Sequence, residues 1–163
     1  MVGHDWGAVV VWSVVAAHPG LVLTLTALSV PHPAAYVRAI RVRRQGPRAT
    51  YVAFFQLPLL PEALLLSNGA ALLRRLLLGS RLPQATTERY IERMRQPGAL
   101  IAALAWCGAL PWSPLHQVGR VARPTLLVWG AHDAAIDRAG IELTGNLVDG
   151  RYRVEILGRA QDW

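Results

Sequence analysis

Gly3-His4-Asp5-Trp6-Gly7 sets a carboxylate between two glycines, and the apolar stretch Gly7 to Ala17 follows at once. Small flanking residues permit a sharp strand-to-helix turn that leaves the central side chain exposed at the top of a sheet, the geometry of a nucleophile elbow. Backbone N–H groups at the start of the next helix favour negative charge there. Serine is the usual central residue. An aspartate in its place is a carboxylate nucleophile, which attacks carbon and leaves an ester on the protein. The same residues also fit a plain turn with an aspartate capping a helix. Further along, Asp133 follows Gly130 beyond an aliphatic run, where it reads as an acid at a strand end or as a turn residue. His132 is its neighbour in sequence and reads as structural. His32, between Pro31 and Pro33, reads as a loop-packing residue. Tyr51 opens the aromatic run Tyr51 to Phe55, and the lone Cys107 follows Trp106.

The elements that must position these residues are legible from pattern. Gly7 to Ala17 reads as a buried helix stopped by Pro19-Gly20. Val22 to Val30 reads as a buried strand closed by Pro31 and Pro33. Residues 31–114 change character, with helical patches, several prolines and most of the arginines. Within them Thr86 or Thr87 caps a helix running to Arg95, and Ala99 to Ala109 forms another. Pro124 to Trp129 is again a strand, Arg138 to Leu147 a short helix, and Tyr152 to Leu157 a further strand. Strands alternating with helices predict a parallel α/β sheet, and the helical block predicts an inserted lid.

Composition bounds the function. The chain has 163 residues, 53% of them apolar, and one cysteine. It is too apolar for a disordered tail, and one cysteine excludes an internal disulfide framework and fits a reducing compartment. The opening residues do not read as a secretory leader, so secretion is not expected, and every apolar run is shorter than the ~20 residues needed to span a bilayer. A cytoplasmic setting is therefore expected. All 17 basic residues are arginine, and the formal net charge is +7. The densest cluster is Arg38, Arg41, Arg43, Arg44 and Arg48, but no aromatic interleaving or nucleic-acid module accompanies it, so a solvated helical face is expected rather than nucleic-acid binding.

At this point the sequence resembles the α/β-hydrolase superfamily, and within it the epoxide hydrolases. Gly3-His4-Asp5-Trp6-Gly7-Ala8 is similar to that family's nucleophile segment, and Ser29-Val30-Pro31-His32-Pro33 to the loop leading into its cap. Tyr51-Val52-Ala53-Phe54-Phe55-Gln56-Leu57-Pro58 is similar to the cap segment bearing one of two ring-opening tyrosines. Gln96-Pro97-Gly98-Ala99-Leu100 resembles the run ahead of the second. Pro124 to Asp133 is similar to the strand and loop bearing the acid. The resemblance implies the C-terminal half of an α/β-hydrolase fold, a partial parallel sheet with core segments 1–33 and 115–163 and a helical cap over 34–114. It implies that Asp5 opens an epoxide, that Tyr51 donates a hydrogen bond to the ring oxygen, that the Trp6 N–H forms part of an oxyanion hole, and that Asp133 orients a histidine activating water. Trp6, Phe54, Phe55, Trp106 and Cys107 would line the substrate site. The substrate would be a small lipophilic epoxide, the product a vicinal diol, and neither cofactor nor metal is required. A haloalkane dehalogenase shares the Asp-Trp pair and is the close enzymatic alternative. A non-catalytic half-domain is the other.

The sequence departs from the family at three places. The family's Gly/Ala-x-His-Trp segment corresponds to Gly158-Arg159-Ala160-Gln161-Asp162-Trp163, so Asp162 stands where histidine is expected, 29 residues after Asp133. A carboxylate with an ordinary pKa near ~3.9 is a poor general base at neutral pH. Cys107 stands where the second tyrosine is expected, and a thiol is the weaker donor. The family's earlier strands and His-Gly-x-Pro loop have no counterpart, which leads us to expect a truncated sheet with one long unpaired edge, an uncovered apolar face, and self-association through that edge.

Overall fold

A computed structural model describes residues 1–41, 50–80 and 82–158. Asp162, Arg43, Arg44 and Arg48 lie outside the described residues. The chain divides into two compact units, Met1–Ala49 with Pro114–Trp163, and Thr50–Ser113.

The first unit is built on four parallel strands in the order β1 (Val2–His4), β2 (Leu25–Leu28), β3 (Thr125–Gly130) and β4 (Tyr152–Leu157). In β3, Thr125, Leu127 and Trp129 are buried while Leu126 and Val128 are half-buried, so the sheet has one deeper face. The crossover from β1 to β2 is α1 (Trp6–Ala17). This helix is apolar all round, yet only Ala8, Val11, Trp12 and Val15 are buried, a single i, i+3, i+4, i+7 stripe. The expected buried helix is thus buried along one face. The stripe joins Leu25, Ala27, Leu127 and Trp129 in the main core. Each fully buried large side chain there contributes about 1.5–3 kcal/mol. Trp12 also donates its indole N–H to the Val30 carbonyl at 3.1 Å, which fastens α1 to the end of β2.

Two further helices complete this unit. α2 (Pro33–Arg41) buries Ala34, Ala35 and Ala39 and packs on α7 (Arg138–Thr144). The contact is close because it is made by small residues: a β-carbon on Gly140 would lie 3.0 Å from Pro31 Cγ. Asp137 caps α7, its Oδ1 accepting from the Ala139 N–H at 2.9 Å.

Several spans differ from expectation. β2 is confined to Leu25–Leu28, because Ser29 turns out of the strand with φ 66. β1 is a strand in its own right, too short at three residues for any periodicity to show. Its outer edge is correspondingly short rather than long. The short helix after β3 ends at Thr144 and continues to Leu147 as a 3₁₀ turn.

The second unit is helical, with α3 (Thr50–Phe54), α4 (Leu60–Gly79), α5 (Gln84–Met94) and α6 (Ala99–Ala109). α4 is broken at Ser67–Ala70, where Asn68, Gly69 and Ala70 are left-handed. Arg74 braces the break and the next helix together: Nη1 donates to the Gly69 carbonyl at 3.0 Å, and Nε and Nη2 grip Glu88 at 2.7 and 2.9 Å. The guanidinium hydrogen bond holds the Glu88 carboxyl below its usual range. α5 begins at Gln84, with no side-chain cap from Thr86 or Thr87. The Pro83 carbonyl receives both threonine N–H groups instead, at 3.0 and 2.9 Å.

Candidate active site

Asp5 links β1 to α1 and sits at φ 49, ψ −123, outside the regions ordinary residues favour. Its N–H donates to the Leu28 carbonyl of β2 at 3.4 Å, and its own carbonyl accepts from Ala8 and Val9 N–H at 2.9 and 3.3 Å. The turn is as tight as it is because of Gly3. A β-carbon there would lie 2.4 Å from the Gly7 carbonyl oxygen and 2.6 Å from Val11 Cγ2. The Asp5 side chain makes no helix-capping hydrogen bond and is exposed. That removes the capping explanation for an aspartate here. Backbone in a strained region, a glycine required by contact and a carboxylate that caps nothing are the marks of an elbow. Half-buried Trp6 supplies the first N–H of α1, in the turn whose N–H groups lack intrahelical acceptors.

Parallel strands bring the following loops to one edge of the sheet, so Asp5 and Asp133 share the carboxyl end. They follow β1 and β3, with β2 between, a lateral offset of roughly 10 Å. Asp133 is only 2% exposed. Its Oδ1 accepts from the N–H groups of Ala135 and Ile136, both at 2.8 Å, which fixes the carboxylate against its own loop. Ala131 N–H bonds the Leu157 carbonyl at 3.1 Å, so the loop after β4 starts beside the Asp133 loop. His132 is exposed and does not pack as a structural residue. His32 is fully buried: Nε2 donates to the Gly119 carbonyl at 2.9 Å, Nδ1 accepts from Ala34 N–H at 3.2 Å, and Trp12 meets it edge-on. Burial pushes its imidazole below the ordinary range.

In the helical unit, Tyr51 lies on α3, exposed, with its ring edge-on to Phe55 at 5.7 Å, and Phe54 is tilted against Phe55 at 5.6 Å. Gln56 Nε2 donates to the Cys107 carbonyl at 2.8 Å, which ties the end of α3 to α6 and brings Cys107 near the aromatic group. Cys107 is half-buried, and Trp106 is exposed on α6. Sequence reasoning passed over Ser29, the residue after β2 on the same edge. Nothing in its type signals the positive φ it adopts. Among the described residues no group of His, Cys, Asp and Glu is arranged to hold a metal.

The fold is that of the α/β-hydrolases, represented by four parallel strands and an inserted helical unit. The crystal structure of a Bacillus megaterium epoxide hydrolase in complex with an inhibitor superposes with a TM-score of 0.81 at 20% identity, covering 99% of this chain and 61% of that one. The resemblance read from the motifs is to the epoxide hydrolases, and it holds along the chain: human epoxide hydrolase 4 is 33% identical over all of it. The AB hydrolase superfamily protein YfhM of Bacillus subtilis is 34% identical over 85%. The chain spans about half the length of these curated relatives, 48% and 50%. No family model matches it.

Proposed function

We propose that the chain is an epoxide-hydrolase-like α/β-hydrolase that opens a small lipophilic epoxide through an ester on Asp5. The observation carrying this reading is Asp5 itself, held at φ 49 on a strand-to-helix turn, its carboxylate making no helix-capping hydrogen bond. A carboxylate oxygen attacks an epoxide carbon, the ring C–O bond breaks, and the oxygen keeps the electron pair and takes a proton from water to end as a hydroxyl. Tyr51 donates a hydrogen bond to that oxygen as charge develops, and the Trp6 N–H serves the oxyanion of the next step. Water then adds to the ester carbonyl, the acyl C–O bond breaks, and the diol leaves. In this reading the helical unit, residues 50–113, acts as the cap, Trp6, Phe54, Phe55, Trp106 and Cys107 line the substrate site, and Asp133 is the acid of the charge pair. Asp162 in place of histidine makes the hydrolytic step slow, because an ionised carboxylate is a poor base.

Supplying styrene oxide and measuring the mass of the Asp5 peptide tests the reading. A stable adduct of one epoxide without diol release is expected, absent in Asp5→Asn, with Asp162→His converting it to turnover. No adduct and no diol would remove Asp5 as nucleophile. Steady turnover by the unaltered chain would remove the block at Asp162, and halide release from a chloroalkane would favour the dehalogenase reading. We further propose self-association through the β1 edge, with a reducing, cytoplasmic setting. Light scattering that finds only monomer across a concentration series would exclude the association.

A further inference from the structure

Among the described residues of the sheet unit, two non-glycine residues have positive φ, Asp5 at 49 and Ser29 at 66. They are neighbours. The Asp5 N–H donates to the Leu28 carbonyl, so each stands one residue beyond the paired ends of β1 and β2. At that spacing adjacent strands are about 5 Å apart. Ser29 is the centre of a γ-turn: Val30 N–H bonds the Leu28 carbonyl at 2.9 Å, while Ser29 N–H bonds the Val128 carbonyl at 2.8 Å. The positive-φ γ-turn is rare and strained, and glycine would adopt it without strain. Ser29 is also 5% exposed, and its Oγ is buried with no hydrogen-bond partner. A buried hydroxyl left unpaired is unfavourable in its own right. Alanine would remove that penalty and glycine would remove both. Two local penalties on one serine, beside the candidate nucleophile on the carboxyl edge, mark a hydroxyl kept for a partner it reaches by turning.

We propose that Ser29 is a positioning residue for Asp5, its hydroxyl turning to donate a hydrogen bond to the Asp5 carboxylate and hold it aimed. The proposal rests on the reading of Asp5 as nucleophile. It extends that reading by naming the neighbour that orients the carboxylate.

The test uses two reagents on the full chain. Styrene oxide reports the rate of adduct formation at Asp5, and a carbodiimide with an amine reports the pH midpoint for labelling the same carboxyl. Ser29→Ala and Ser29→Gly should slow the epoxide adduct about tenfold and move the labelling midpoint up by about one pH unit, since a donor to the charged form is lost. Ser29→Asn, which tolerates positive φ and retains a donor, should restore both. Ser29→Gly relaxes the turn, so it melts no lower than the unaltered chain and keeps the comparison free of unfolding. Rates within twofold of the unaltered chain and an unmoved midpoint in both Ala and Gly variants would overturn the proposal. A Ser29-dependent midpoint in a chain that forms no epoxide adduct would leave the role of Ser29 standing while the nucleophile reading fell.

Discussion

The two glycines of the elbow are not equivalent, and their difference is measurable. Gly3 has the Gly7 carbonyl and Val11 against it, whereas a β-carbon on Gly7 meets nothing within 4 Å. Gly3→Ala is expected to lower stability by about 1–3 kcal/mol through overpacking. Gly7→Ala, on the first turn of α1, is expected to raise it by up to about 1 kcal/mol. Urea titration of both variants decides this, and equal effects would contradict the close approach of β1 and α1. Asp5→Asn makes a sharper contrast. Since Asp5 caps nothing and asparagine accepts positive φ, stability should stay within about 0.5 kcal/mol while the epoxide adduct disappears. A loss of about 1 kcal/mol or more would revive the cap as its purpose. Much of this was legible in sequence, because glycine, aspartate and glycine before an apolar run carry their own steric and chemical logic. Ser29 was not, because a serine's type says nothing of its φ. Asp133 was legible as an acid after a strand, but its two backbone N–H partners depend on a loop shape that only the fold supplies.

At the scale of elements, His32 fastens the chain leaving β2 to the segment returning at Gly119, and its own N–H bonds Thr144 Oγ1 at 3.1 Å, reaching α7. Burial lowers its pKa, and Arg38 and Arg120 push the same way. The neutral form is thus favoured on folding. The stability it contributes is present above the unfolded value near ~6.5 and is lost as pH falls through the lower folded value. Unfolding free energy measured from pH 8 down to 5 should therefore drop more steeply for the unaltered chain than for His32→Asn. Parallel profiles would exclude His32 as the cause. In the helical unit, Gly69 at φ 67 carries the break in α4. Gly69→Ala should cost about 1–2 kcal/mol by chemical denaturation, as a β-carbon in left-handed backbone does. An unchanged midpoint would mean that the break relaxes. The helices of this unit were readable from composition, but the break was not. Leu60–Gly79 is mostly apolar, with Glu62, Asn68, Arg74 and Arg75 set among leucines and alanines, and its apolar runs predict helix on either side of a break without locating it. β1 was readable only through the elbow, which needs a strand before it, because three residues are too few to show alternation.

At the scale of the molecule, the +7 charge of the sequence proved less informative than its apolar surface. Leu21 and Leu23, before β2, are 80% and 86% exposed, and Val2 on β1 is 69% exposed. These are exposed apolar side chains on the sheet unit. Replacing Leu21 and Leu23 by arginine should leave stability within about 0.5 kcal/mol per site and reduce static light scattering. A clear drop in melting temperature would show that these side chains are packed in solution. The sheet carries one more consequence. Leu25 pairs with Thr125, so the central seam joins residues about a hundred positions apart, with the whole helical unit strung between them. Synthesis must deliver that unit before the seam can close, and β1, α1 and β2 wait meanwhile with one side open. Yet closing entropy grows only with the logarithm of the interval, about 0.6 kcal/mol for each doubling. The intervening segment is therefore nearly weightless in the closure of the sheet. Evolution or an engineer can lengthen, shorten or exchange it while the strands that carry Asp5 and Asp133 keep their register.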